Sequence, residues 1–294
     1  MQYNDYLASV SLWQEIVTTL LKLYVERVYN NAKSKFMADN VEVVILDQSN
    51  PNFEKEYTIW YHKELDYFVD KLNEVKVSLE DQTFASTVNI SNSNDFQALY
   101  IAQHLYQPLL YINSKAFPVE GVENPIKITP VALNSGERDF VNSIKQFHKN
   151  NPEFFADKEL YLLRNKSKQG IGFFDAHGFY PDFIVWLVVG QKQYISFVDP
   201  KGITHLSSFG DPKIQLYKTI RTDIEPRLND PNVILNSFII SNSPLSRVSH
   251  WTGLNHTAVP GAKEYKMFND QHVYFQSEQK ETYIGQMLQT IINS

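Results

Sequence analysis

Two apolar runs separated by a short polar turn constrain this chain more than any other feature. Phe183-Ile184-Val185-Trp186-Leu187-Val188-Val189 is followed by Gly190-Gln191-Lys192-Gln193 and then by Tyr194-Ile195-Ser196-Phe197-Val198. Runs this rich in β-branched and aromatic residues, broken by a glycine turn, read as a buried strand, a tight turn and a second buried strand. The first strand opens with Pro181-Asp182, and the second runs into Asp199-Pro200-Lys201-Gly202. Asp199 and Lys201 stand two apart, so on a strand their side chains share one face. Pro200 points to the other face and has no N–H, which suits a strand end. Two carboxylates and an ammonium at adjacent strand ends can hold a divalent cation and a cationic group against a phosphodiester, which makes nuclease the leading expectation.

Each half of this motif has a plainer reading. Asp-Pro-x-Gly also matches a type I turn, with Asp at the first position and Pro at the second. An isolated Asp182 could cap the start of its strand. Their coincidence on neighbouring strands favours the site.

The 294 residues suit one large or two modest domains, and 43% hydrophobic with 14% aromatic content suits a folded chain with a sizeable core. No apolar run approaches the roughly 20 residues a membrane span needs, and the first residues lack the basic and apolar parts of a secretory signal. Zero cysteines exclude disulfides and thiolate metal sites and agree with a cytoplasmic location. A net charge of −6 argues mildly against a nucleic-acid partner. Local charge matters more for phosphate contact. Residues 1–130 are acidic, whereas residues 160–222 hold Arg164, Lys166, Lys168, Lys192, Lys201, Lys213, Lys218 and Arg221 against Asp175, Asp182, Asp199 and Asp211.

Apolar spacing predicts a helix from Leu12 to Ala38, a strand at Val41–Leu46, a strand around Tyr57–Tyr61 and a helix around Leu65–Val75. Asn92-Ser93-Asn94-Asp95 reads as the cap of a helix through His104. The Pro- and Gly-rich stretch from Phe117 to Pro130 marks a soft boundary, giving a mixed α+β region over 1–130 and a second domain over 131–294. In the second half, Asn134-Ser135-Gly136-Glu137 opens a helix with apolar positions Phe140, Val141, Ile144 and Phe147. Leu160–Leu163, Gly172–Phe174, Val233–Ile240 and Val273–Phe275 read as strands. Asp211-Pro212-Lys213 starts a helix to about Glu225, and Tyr283–Ile292 closes the chain. The expected fold class is α/β, a mixed central sheet flanked by helices.

Glu137 is the third acidic candidate. Asn134 as N-cap puts Glu137 at the third helical position, the spacing of a capping box. Glu137, Val141 and Ile144 also fall on one helical stripe, where a buried carboxylate is costly unless paired or metal-bound. Both readings stand at this point. Magnesium prefers oxygen ligands and is commonly held by one or two carboxylates plus water and substrate phosphate. Lys201 could orient a water or stabilise developing charge. Lys213, Gln215 and Lys218 could meet a phosphate backbone or form a solvated face. His250 and His256 are six apart and do not share a helical face, so they are no helical zinc pair. His177 precedes Pro181-Asp182 and reads as loop surface. Neither Gly-x-x-x-x-Gly-Lys-Ser/Thr nor Gly-x-Ser-x-Gly occurs.

Glu137, Pro181-Asp182 and Asp199-Pro200-Lys201 match, in order and spacing, the motif of the PD-(D/E)XK nuclease superfamily. Ser135-Gly136-Glu137 with Phe140-Val141, Gly178-Phe179-Tyr180-Pro181-Asp182-Phe183-Ile184 and Phe197-Val198-Asp199-Pro200-Lys201-Gly202 resemble the C-terminal endonuclease domain of type III restriction enzyme restriction (Res) subunits. His104-Leu105-Tyr106-Gln107-Pro108-Leu109-Leu110 resembles the segment that leads into that domain. The likeness covers about residues 100–294 and is specific over 137–202. It implies a restriction-endonuclease-like core over 131–294 and cleavage of double-stranded DNA with Mg2+, or Mn2+ in its place. Asp182 and Asp199 would be metal ligands, Lys201 catalytic, and Glu137 an assisting, metal-side carboxylate. Such subunits also carry an ATP-driven helicase motor and work with a modification methyltransferase. This chain holds no motor motif, so it would be either the C-terminal piece of a longer protein, with residues 1–130 the connector between motor and nuclease, or a stand-alone relative.

Two other readings compete. One is a non-catalytic DNA-binding or assembly module that keeps the nuclease fold. The other is a sugar- or nucleotide-binding α/β protein in which Asp199-Pro200-Lys201-Gly202 is only a turn.

Overall fold

The computed structural model describes residues 12–25, 28–29, 50, 52–53, 56–80, 95–99, 109–166, 170–173, 179–206, 208–252 and 261–294. The expected strand at Val41–Leu46, His104, His177 and His256 lie outside these residues. The chain divides into two compact units, residues 1–43 with 172–179, and residues 44–171 with 180–294. In the first, residues 12–25 form helix α1, whose side chains are exposed, and Phe173 and Phe179 make an isolated bridge. Everything below concerns the second unit, and the boundary expected near residue 130 falls inside it.

Its frame is a five-stranded sheet in the order β5-β6-β7-β8-β9, from β5 (Lys158–Arg164), β6 (Phe183–Val189), β7 (Lys192–Lys201), β8 (Val233–Ser241) and β9 (Val273–Phe275). β5, β6 and β7 are antiparallel neighbours, while β7, β8 and β9 run parallel. The two central runs fold as the sequence predicts. Val189 pairs with Lys192 across a two-residue turn, and Gly190 takes the left-handed φ of 59° that such a hairpin turn needs at its first position. Central strands buried on both faces show no polar alternation, hence the unbroken apolar runs.

Helix α3 (Ser135–Asn150) and helix α6 (Tyr283–Ile292) cover one face. Phe140, Val141 and Ile144 from α3 and Tyr283, Ile284, Met287, Leu288 and Ile291 from α6 join Leu160, Leu162, Phe183, Val185, Leu187, Val198 and Phe238 of the sheet in the main core. Helix α4 (Pro212–Thr219) connects the parallel strands β7 and β8, packs on β8, and buries Ile214 and Leu216. Asp211 caps it through a hydrogen bond from Lys213 N (3.0 Å), and a π-helical turn at Ile220–Ile224 ends the helical run. Helix α5 (Ala262–Asn269) precedes β9.

A smaller core lies ahead of α3. β1 (Thr58–Tyr61) pairs with β4 (Ile126–Thr129), helix α2 spans Asp66–Glu80, and β2 (Phe96–Leu99) pairs with β3 (Leu109–Ile112). The helix expected from Asn92 is instead a strand at 96–99. Alternation within the β2–β3 pair explains both its composition and the misreading. Phe96, Ala98 and Leu110 join Leu65, Phe68, Val75, Phe117 and Ile128, whereas Leu99, Leu109 and Tyr111 face the main core. A strand buried on both sides has no polar face to announce its period.

Among the described residues, no helix is long and apolar enough to cross a membrane.

Candidate active site at the β6 and β7 strand ends

The antiparallel register carries Phe183 opposite Val198 and Arg164 opposite Phe183. One step further, Asp182 stands opposite Asp199, and Asn165 N donates to Asp182 O at 2.8 Å. Asp199-Pro200-Lys201 belongs to β7, paired in parallel register with Ile239, Ile240 and Ser241 of β8. The tetrad is therefore a strand end rather than a turn. Lys201 O accepts from Asn242 N at 3.1 Å, so by alternation the nitrogen of Pro200 points to the side where β6 has already ended. The missing N–H costs no ladder bond there.

Asp199 and Lys201 share the face opposite Val198. The Lys201 ammonium lies against Asp199 Oδ2. That oxygen is fully buried and accepts no hydrogen bond of good geometry, so the ammonium is its counter-charge. Only 3% of Asp199 is exposed. Asp182 is half-buried. Burial first, then the Asp199 charge, a side-chain hydrogen bond with Asp199 and the Glu137 charge push its carboxyl up to about 9, against a smaller opposing pull from Lys201. Its surroundings thus favour the protonated form of Asp182, hydrogen-bonded to the Asp199 side chain.

Glu137 is buried at the start of α3 and does what the capping-box spacing predicts. Glu137 N donates to Asn134 Oδ1 (3.0 Å), and Asn134 N donates back to Glu137 Oε2 (3.2 Å). Asn134 Nδ2 donates to Oε1 at 2.8 Å. Arg164, at the end of β5, adds an ion pair to Oε2 at 3.2 Å. Burial raises the Glu137 carboxyl, Arg164 and the Asn134 N–H pull it down, and the Asp199 charge raises it again. Glu137 thus lies within electrostatic reach of both aspartates, with each of its oxygens already accepting hydrogen bonds.

The glycines on either side of these groups are crowded by the side chains of Asn242 and Ser243. A Cβ on Gly136 would meet Asn242 Nδ2 at 2.9 Å, and one on Gly202 would meet Ser243 Oγ at 3.1 Å and Asn242 Oδ1 at 3.2 Å. Gln276, just past β9, donates to Gly136 O at 2.9 Å and ties the first turn of α3 to the sheet.

The donor set suits a hard cation held by two carboxylates: Asp182 and Asp199 face one another, and the buried Asp199 Oδ2 already draws a cationic group, the Lys201 ammonium. Among the described residues, no three His, Asp or Glu side chains group as a ready ligand cluster, in keeping with the commitment of Glu137 to Asn134 and Arg164. The spacing of the chain identifies Asp182, Asp199, Lys201 and Glu137. It does not identify Arg164, Asn165 or Gln276, whose partners are distant in sequence. An arginine closing an apolar strand was the one available signal. His250 is exposed and away from these contacts. Comparison with protein-family models, with curated proteins and with solved structures finds no match to this chain.

Proposed function

We propose that this chain is a metal-dependent endonuclease that hydrolyses phosphodiester bonds of double-stranded DNA, using Asp182, Asp199 and Lys201. The observation that carries the reading is the facing pair Asp182–Asp199, joined by a side-chain hydrogen bond, with the Lys201 ammonium against it. A structural strand end gains nothing from burying two carboxyl groups face to face, where one is pushed toward its protonated form. A cation site does, because the ion neutralises both.

Asp182 and Asp199 would hold Mg2+, or Mn2+ in its place. When bound, such an ion stabilises charge developing at phosphorus and lowers the pKa of a bound water. With such an ion held by both carboxylates, Lys201, which lies against Asp199, would be placed to donate to the nucleophilic water or to a phosphate oxygen. Glu137, fixed by Asn134 and Arg164, adds negative charge that favours the cation. The order α3-β5-β6-β7-α4-β8 supports assigning a restriction-endonuclease-like core. The motif-level likeness to type III restriction subunits suggests a cytoplasmic restriction enzyme, with a helicase motor and a methyltransferase as its working partners. Arg164 and Lys166, which flank the residue bonded to Asp182 O, bring positive charge beside the site and favour a phosphate backbone as substrate.

The test is to incubate the purified chain with supercoiled plasmid and short duplex DNA, in Mg2+, in Mn2+ and in chelator. Metal-dependent nicking is expected, with Lys201→Ala slowed roughly a hundredfold or more, the order lost when one preorganised stabilising charge is removed. Cleavage that persists in chelator, or at wild-type rate in Lys201→Ala, sinks the reading.

A further inference from the structure

One residue holds the backbone on both sides of the linkage into Asp182, its side chain on one side and its own N–H on the other. Asn165 Nδ2 donates to Pro181 O at 2.8 Å, and Asn165 N donates to Asp182 O at 2.8 Å. The same amide closes the base of the β5–β6 connection: Nδ2 donates to Ile171 O (2.7 Å), and Oδ1 accepts from Ile171 N (2.8 Å). The last lone pair of Oδ1 accepts from Asn52 Nδ2 at 3.3 Å, across 113 residues of sequence. All four hydrogen-bonding capacities of the Asn165 amide are thus used, and the residue is 6% exposed.

Asn52 belongs to a turn ahead of the small core, held by its own N–H on Asn50 Oδ1 (3.0 Å) and by Phe53 N on Asn50 O (3.0 Å). Its Oδ1 accepts from Lys166 N at 2.7 Å. Gly170 closes over the pair: a Cβ there would stand 2.2 Å from Asn165 Oδ1 and 2.6 Å from Asn52 Oδ1. Three separate pieces of chain therefore converge on one buried side-chain amide that fixes the carbonyl of Pro181, the residue before Asp182, while the backbone N–H of the same residue holds the carbonyl of Asp182. No such investment is needed to close an ordinary surface loop.

We infer that Asn165 is a positioning residue for Asp182 and that Asn52 locks it, so that the segment around residue 50 is part of the metal site's support. This rests on the reading of Asp182 and Asp199 as a cation pair. Asp182 follows a proline and precedes the first ladder pair of β6, so its own strand holds it on one side only. The Asn165 amide supplies the other side. Groups that orient metal ligands typically contribute 10–100-fold to affinity.

Calorimetric titration of Mn2+ into the full chain tests this with four proteins: wild type, Asp182→Asn, Asn52→Ala and Asn165→Asp. Asn165→Asp keeps the acceptor for Ile171 N and Asn52 but loses both donated bonds. Wild type is expected to bind, Asp182→Asn to lose binding, and both asparagine variants to bind about tenfold or more weakly. Thermal melts of each protein accompany the titrations. A lower melting midpoint with unchanged Mn2+ affinity assigns Asn52 and Asn165 to the fold alone and overturns the inference. Wild type that fails to bind overturns the cation pair itself, and the positioning role with it. Should Asn165→Asp fail to fold, Asn52→Ala decides, since it touches the same amide from its outer side.

Discussion

Two carboxylates facing each other across an antiparallel pair repel unless one keeps its proton or a cation sits between them. Burial and the neighbouring Asp199 charge push Asp182 toward the first of these. In the unfolded chain it would release its proton near the ordinary 3.8, in the folded chain only near about 9. Between those values the folded state binds more protons than the unfolded one, so stability falls as pH rises through this window. In chelator, the melting midpoint of wild type is expected to fall from pH 5 to pH 9, and Asp182→Asn to show a shallower slope and a higher midpoint at pH 8. An equal slope in the variant would place the cost elsewhere. Asp199→Ala removes the other charge of the pair. It is expected to lose cleavage while melting at or above wild type at pH 8, because the Asp182 carboxyl then ionises with less repulsion. That Asp182, Asp199 and Lys201 come together was legible, because a two-strand hairpin with a tight turn fixes which residues meet at its open end. Asn165 was not, because an asparagine after a strand looks like any turn residue until its partners are known.

Elements were legible where one face differs from the other or where capping chemistry is local. The Asn134–Glu137 box is spelled out in four residues, and α3 begins where that spelling says. Asn134→Ala removes the cap and loosens Glu137 at once, and should lower stability by about 1 kcal/mol in a denaturant melt. The β2 strand misleads for the opposite reason: Asn92-Ser93-Asn94-Asp95 has cap chemistry, and Phe96–Leu99 has no polar face to contradict it. The α5–β9 turn shows a third case. His272 adopts a left-handed φ of 58° and stacks between Tyr217 (4.1 Å) and Phe238 (4.6 Å), with Nδ1 hydrogen-bonded to Ser237 O at 3.0 Å. Burial lowers its pKa from 6.5 to about 4. The unfolded chain then binds the extra proton between those values, so this contribution is full above 6.5 and is lost as pH falls through 4. His272→Asn, which tolerates the backbone angle, should flatten the loss of stability between pH 6.5 and 4, read from melting midpoints.

At the scale of the whole molecule, the β2–β3 pair decides what can be cut away. The composition break at Phe117–Pro130 suggests a junction, yet Leu99, Leu109 and Tyr111 are buried in the same core as α3, α6 and the five-stranded sheet. Burying each such side chain contributes about 1.5–3 kcal/mol, against a total stability of about 5–15 kcal/mol for an ordinary domain. A fragment of residues 131–294 loses these contacts, leaves bare the surface they covered, and loses the Asn52 bond to Asn165 as well. A fragment of residues 50–294 keeps all of them. The shorter fragment is expected to melt without a cooperative transition and to aggregate, and the longer one to melt cooperatively within a few degrees of the full chain. The comparison is a pair of thermal melts followed by circular dichroism. A cooperative transition at the full-chain midpoint in residues 131–294 would show that the sheet with α3, α4 and α6 is self-sufficient and that the shared hairpin contributes little.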